Sequence, residues 1–352
     1  ASSKLSKASS AVRAFCRLRI WTCLHLAFTR FRCSLGLGPS LLITFFSTAL
    51  LFSPIHYDTY LINFQFSFML ALLTAMCAIV ALSASNPTPS WRLLIAAGCC
   101  TLSSFSSSQG LASWVAAMPM ILFGEAFSRK RSRYLLVWLL LAAASSVLYS
   151  IGFHREQGLL EPDLFYSFRH LAEGTRFFLC LAGAPLAQGF PGPLVPWAEI
   201  IGGLLFCVLV ALFIWAGRNH AELLPCLCIA LFGVCFCALA TVGRAAWTPA
   251  VAASESRYMT TTALLSVIAD GLLITWLDQN KKRQWKMAAG VCAIFPILWQ
   301  ISIERPRLTH IHDTRLQAAR LLPLLAYRDP SLDATPASPF AALNPVSHYT
   351  SD

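Results

Sequence analysis

The residues best equipped for chemistry gather in a polar break, 243–262, between two long apolar runs. Arg244, Glu255, Arg257 and Tyr258 lie there, next to where a membrane span must begin. An ionisable group at such a boundary has to be solvated, paired or used. A guanidinium forks onto phosphate oxygens, so Arg244 and Arg257 are candidates for holding an anionic lipid headgroup. Arg257 is equally suited to pair with Glu255 or Asp270, or to snorkel to the interface. Tyr258 and Trp247 read as interfacial anchors. Two further segments carry acids. Asp58 follows Pro54 in a short turn with His56, Tyr57 and Tyr60, and Glu161 and Asp163 lie in the polar stretch 154–176. Asp58 suits a catalytic base or a metal ligand and suits a solvated turn residue as well.

The elements that must position these groups follow from composition. Of 352 residues, 57% are hydrophobic and only 12% charged, against about 25% charged in soluble globular proteins. The apolar stretches are continuous and do not alternate, which argues against a β-barrel. The fold class is therefore all-α, a polytopic transmembrane helical bundle. About nine spans are expected by length: 35–52, 62–82, a hairpin of 93–102 and 111–123 around the serine cluster 103–110, 134–151, 197–215, 223–242, 259–277 and 287–303. The segment 177–190 has 14 residues broken by Gly183, Pro185 and Gly189. It falls short of the roughly 20 that a span needs and reads as re-entrant or interfacial.

Charge orients the bundle. Residues 1–34 hold seven basic residues and no acid, and read as a cytoplasmic membrane-surface arm; a transit peptide is the competing reading. With that arm inside, 17 of the 27 Lys and Arg residues fall on inside loops, five on outside loops and five in the polar tail 304–352. This is the positive-inside pattern. It makes nucleic acid a poor partner for the net charge of +11, and membrane lipids the expected one. The domains are thus the arm 1–34, the transmembrane domain 35–303 and an extracytoplasmic tail 304–352. Location in a bacterial inner membrane is expected, with the N-terminus cytoplasmic. On this topology Asp58, Glu161, Asp163, Arg244 and Arg257 all face outward.

Other constellations are weaker. Most of the 13 cysteines lie inside apolar runs. Cys226/Cys228 and Cys235/Cys237 face different sides of a helix and read as packing, not as metal ligands. His310, His312 and Asp313 lie on the tail and read as solvated. Asp270 lies twelve residues into 259–277, where a charge is costly; it reads either as paired with another span or as lying near the inner boundary, a turn or two before Asp278. Phosphate-loop, nucleophile-elbow, zinc-protease and dinucleotide motifs are all absent from the sequence.

Four pieces carry a resemblance: residues 51–68, the serine run with Gly110, Leu111 and Trp114, the segment 181–190, and 243–265. Their order resembles bacterial polytopic membrane proteins related to the C-type (GT-C) glycosyltransferases. The resemblance implies sugar transfer from a polyprenyl-phosphate donor on the outer membrane face. It implies Asp58 as part of an outer loop that bears catalytic or metal-binding acids; on the transferase reading Asp58 first, and Asp163 or Glu161 second, is the base or the ligand to a divalent metal ion. It also implies Arg257 as a lipid-phosphate contact; the transferase reading adds Arg244 to that contact, with His56 and Tyr258 as further candidate substrate contacts. Such enzymes usually carry an essential acid in a first outer loop after an N-terminal span, and neither precedes residue 35 here. The chain is therefore expected to be N-terminally truncated, or an inactive relative. A non-enzymatic alternative stands beside the transferase: a lipid or solute transporter, or an assembly factor, with Asp270 and the serine hairpin lining a polar path.

Overall fold

The computed structural model describes residues 66–84, 88–151, 165–187, 190, 193–219, 223–246 and 256–279. The chain divides into two compact units, Ala1–Trp299 and Gln300–Asp352, and the described residues all belong to the first. The expectations for the arm 1–34, for the spans 35–52 and 287–303 and for the tail 304–352 lie outside these residues. Within them the chain is helical, with no strand.

The first hairpin pairs α1 (Phe66–Ser83) with α2 (Pro89–Ser106). Pro89 opens α2, where its missing N–H costs nothing and its fixed φ suits the first turn. Arg92, expected in a loop, is drawn into that first turn and is buried. A 3-10 turn (Ser108–Leu111) then leads to α3 (Ala112–Phe123), so the serine cluster ends one helix and starts the return. Ser104 and Ser106 donate to the carbonyls one turn back, Cys100 and Leu102, at 2.9 and 2.7 Å. Ser103 reaches across instead, donating to the Ala71 carbonyl of α1 at 2.8 Å. Hydroxyls satisfied in this way can lie inside a bundle without stranding a donor. Gly110 is obligatory at the turn, because a Cβ there would stand 1.9 Å from the Ser103 carbonyl oxygen.

A second 3-10 turn (Glu125–Lys130) and α4 (Arg131–Ile151) carry the basic cluster 129–133 at the start of a long apolar helix. Only Trp138 and Ser145 of α4 are buried. They lie seven residues apart, two turns along one face. The Trp138 indole donates to the Trp114 carbonyl at 3.0 Å, and the two rings lie 4.7 Å apart. Ser145 meets Thr101 of α2 at 3.3 Å. The rest of α4 presents Leu136, Leu139, Leu140, Val147 and Leu148 outward.

After α5 (Tyr166–Arg169), α6 (Leu171–Ala187) crosses α7 (Leu194–Asn219). Of the segment expected to be re-entrant or interfacial, residues 177–187 are thus the latter part of a 17-residue helix. Small residues let the backbones touch. A Cβ on Gly183 would lie 2.1 Å from the Ala198 carbonyl oxygen, and one on Gly202 would lie 2.0 Å from that of Leu179. This is the close approach that glycine and alanine permit between membrane helices. The last described elements are α8 (Leu224–Arg244) and α9 (Ser256–Gln279). α9 packs on α6, α7 and α8. Gly233 of α8 leaves room for Leu265 of α9, whose methyl would lie 2.7 Å from an added Cβ.

Four helical stretches are long and apolar enough to cross a membrane: Glu125–Ile151, Leu194–Ala216, Leu224–Arg244 and Tyr258–Leu277. Their burial rises in that order, from 11% and 28% to 61% and 89% of the apolar window. Two helices whose outer faces are stripes of large apolar side chains would be insoluble in water, where such patches seldom exceed a few hundred Å². In hydrocarbon they are at home, and a membrane location accounts for them.

Gly183→Leu should lower the unfolding free energy in detergent by about 1–3 kcal/mol, the usual cost of forcing atoms into a packed contact. Gly98→Ala, where nothing lies within 4 Å of the new methyl, should instead raise it, by up to about 1 kcal/mol. Denaturant titration of both variants checks the pair.

Candidate functional site

The first candidate centre lies at the corner between α8 and α9. Arg244 is the last residue of α8, and Tyr258 stands in the first turn of α9. The Arg244 guanidinium carbon lies 5.6 Å from the centre of the Tyr258 ring, a cation–π distance. Tyr258 is itself fully buried. Its ring makes edge contacts with Phe68 of α1 and Phe236 of α8, at 6.2 and 6.1 Å between centroids. The anchoring expected of Tyr258 is therefore to protein, because three helices converge on its ring before lipid can reach it. The effect is to hold one end of a basic side chain at the start of a span.

Of the other residues expected at a site, Arg257 lies in the first turn of α9, beside Tyr258. Asp58, His56, Glu161 and Asp163 lie outside the described residues.

The second centre is polar and exposed, at the join of α5 and α6. Tyr166 and His170 stack, with centroids 4.4 Å apart and planes at 22°. The Tyr166 hydroxyl donates to a carboxylate oxygen of Glu173, and His170 Nδ1 lies 4.0 Å from the other. One turn on, Arg176 Nε donates to Glu199 of α7 at 2.8 Å. The carboxylate of Glu173, by accepting the phenol proton in a hydrogen bond, holds Tyr166 above its ordinary pKa. Tyr166, His170 and Glu173 are spaced four and three apart, a helical-face signal already present in the sequence. The Arg176–Glu199 pair carries no such signal, since 23 residues separate its members.

The third centre is inside. α9 is the most buried of the candidate spans, and it carries Thr260, Thr261, Thr262, Ser266, Asp270 and Thr275, all buried. Thr262 and Thr275 donate back to carbonyls one turn earlier, Tyr258 and Gly271. Thr260 Oγ1, Ser266 Oγ and Asp270 Oδ2 are buried with no hydrogen-bond partner among the described residues.

The three centres are carried by touching helices. α5 packs on α8, and α6 packs on both α8 and α9. Among the described residues no group of three His, Cys, Asp or Glu side chains could hold a metal ion. The described cysteines are all free thiols, and Cys226, Cys228 and Cys237 are buried in the α8 packing. Comparison of the chain with family models, with curated proteins and with solved structures gives no match.

The Tyr166 contact gives a pH signature. The phenol should ionise at higher pH than free tyrosine, and Glu173→Gln should move that ionisation back down. Difference absorbance of the phenolate, with Tyr166→Phe identifying the residue, reads both.

Proposed function

We propose that the chain is an integral membrane protein that holds a lipid-linked phosphate at the outer membrane face through Arg244. Tyr258 stands beside it, and Arg257 precedes Tyr258 in the first turn of α9. The observation that carries the reading is the Arg244–Tyr258 contact: a cation fixed on a buried ring, at the corner of two helices long enough to span. A charge fixed in advance loses less side-chain entropy on binding than one on a free stem. Arginine also presents several N–H donors to phosphate oxygens in a planar fork.

The activity this contact serves is sugar transfer from a polyprenyl-phosphate donor. An outer-face carboxylate, Asp58 first and Asp163 or Glu161 second, acts as base or as ligand to a divalent metal ion, and His56 is a further substrate contact. The bundle has about nine spans, with 177–190 not crossing fully. Its N-terminus is cytoplasmic and its C-terminus extracytoplasmic, in a bacterial inner membrane, as the positive-inside count supports.

The purified protein in nanodiscs, titrated with a polyprenyl phosphate, tests the reading. Arg244→Ala should weaken binding by roughly tenfold or more, the cost of a hydrogen bond to a charged group. Arg244→Lys should recover part of it, because the charge returns without the fork. Asp58→Asn should leave binding intact and abolish transfer of sugar to envelope glycans. Equal binding by the wild-type and Arg244→Ala proteins would sink the phosphate site. Unchanged glycans in cells carrying only Asp58→Asn would rule out that residue as the catalytic acid.

A further inference from the structure

The corner at Arg244 does not explain what lies deeper in α9. Ser266 and Asp270 stand one helical turn apart, so they share a face. Both are more than nine-tenths buried, at 3% and 8% exposure. Ser266 Oγ and Asp270 Oδ2 both lack a hydrogen-bond partner among the described residues. Buried polar atoms in native proteins nearly always have one. Two orphaned oxygens at one place, one of them a carboxylate, mark a place built to meet something else.

The chemistry of the pair narrows what that is. Both atoms offer lone pairs, which an electrophile or a donor would meet. Among the described residues no cluster of further acids, histidines or cysteines accompanies them. One negative charge is then available to balance the guest. A divalent ion would bring a second positive charge into a low-dielectric interior, where isolated charge is expensive. A monovalent cation is balanced by Asp270 alone. Oxygen donors from a carboxylate, hydroxyls and main-chain carbonyls suit a hard cation. Pro185, inside the neighbouring α6, has no N–H to give the Leu181 carbonyl its usual helical bond. Carbonyls released in interrupted membrane helices are a known source of ligands for sodium.

We propose that Ser266 and Asp270 form a binding site for a desolvated monovalent metal cation, sodium in the first instance, in the core of the bundle. The cation binds the folded bundle, and its occupancy is linked to stability by mass action. This site is independent of the lipid-phosphate reading. It stands or falls on cation dependence, which a phosphate site at Arg244 would not produce.

The full-length protein, in detergent or nanodiscs, is melted in N-methylglucamine chloride against rising sodium chloride at constant ionic strength, with potassium chloride as a parallel series. The melting temperature should rise and saturate with sodium, and potassium should give a weaker rise. Ser266→Ala should shift the sodium midpoint upward by about tenfold, equivalent to about 1.4 kcal/mol of lost coordination. Asp270→Asn should abolish the response. Should Asp270→Asn fail to fold, the wild-type series and Ser266→Ala decide the matter alone. A wild-type melting temperature that ignores sodium overturns the proposal. So does Asp270→Asn matching or exceeding wild-type stability in every salt, since the carboxyl would then be carried neutral without a cation. A midpoint unmoved by Ser266→Ala removes the hydroxyl and, with it, the site as drawn.

Discussion

Hydroxyls and a carboxylate on a helix long and apolar enough to cross a membrane have to be kept from hydrocarbon, and the packing around α9 does this. Thr260, Thr262, Ser266, Asp270 and Thr275 are spread along four turns of a helix that is 89% buried across its apolar window. α4 is the opposite case, with 11% of its window buried and leucines on its outward faces. In water the order would be reversed, with the polar helix outermost. In lipid, which solvates leucine as well as a protein core does, no hydrophobic force drives one apolar helix onto another. What selects neighbours is the cost of leaving polar groups exposed, and that cost is concentrated on α9.

Close packing then depends on small residues. α9 lies against α6, α7 and α8, and the tight places in that group are made by glycine. Gly233 admits Leu265, and Gly183 and Gly202 bring α6 and α7 into backbone contact. The aromatic junction of Tyr258 with Phe68 and Phe236 closes one end of the same group. It also places the Arg244 guanidinium over the Tyr258 ring, so that burial of the polar helix and placement of this cation at the end of α8 come from one piece of packing.

Much of this architecture was legible in the sequence. The helical class, the spans near 134–151, 197–215, 223–242 and 259–277, and the serine-rich reversal near 103–110 all follow from run length and residue type. Which helix would be central did not follow. The runs of α4 and α9 both look span-like, and the difference lies in Thr, Ser and Asp residues that a hydropathy window averages away. Asp270 stood out as a costly residue, but Ser266, its turn-mate, did not. A serine on a span usually bonds to its own helix, and only the structure shows that this one does not. The Arg176–Glu199 pair was illegible for another reason: it is made by two helices crossing at Gly183 and Gly202, and no local pattern encodes the crossing. The Tyr166, His170 and Glu173 cluster was within reach, because its spacing is helical, although the break at His170 divides it between two helices.

The burial order of the spans is best tested in a bilayer, on the unmodified protein. A photoactivatable phospholipid, cross-linked in vesicles and mapped by peptide mass spectrometry, reports which helices meet acyl chains. The result expected is heavy labelling of peptides from 131–151 and 194–219, and little or none from 256–279. Labelling of 256–279 as strong as that of 131–151 would mean that the polar helix faces lipid, and would contradict the central position assigned to it.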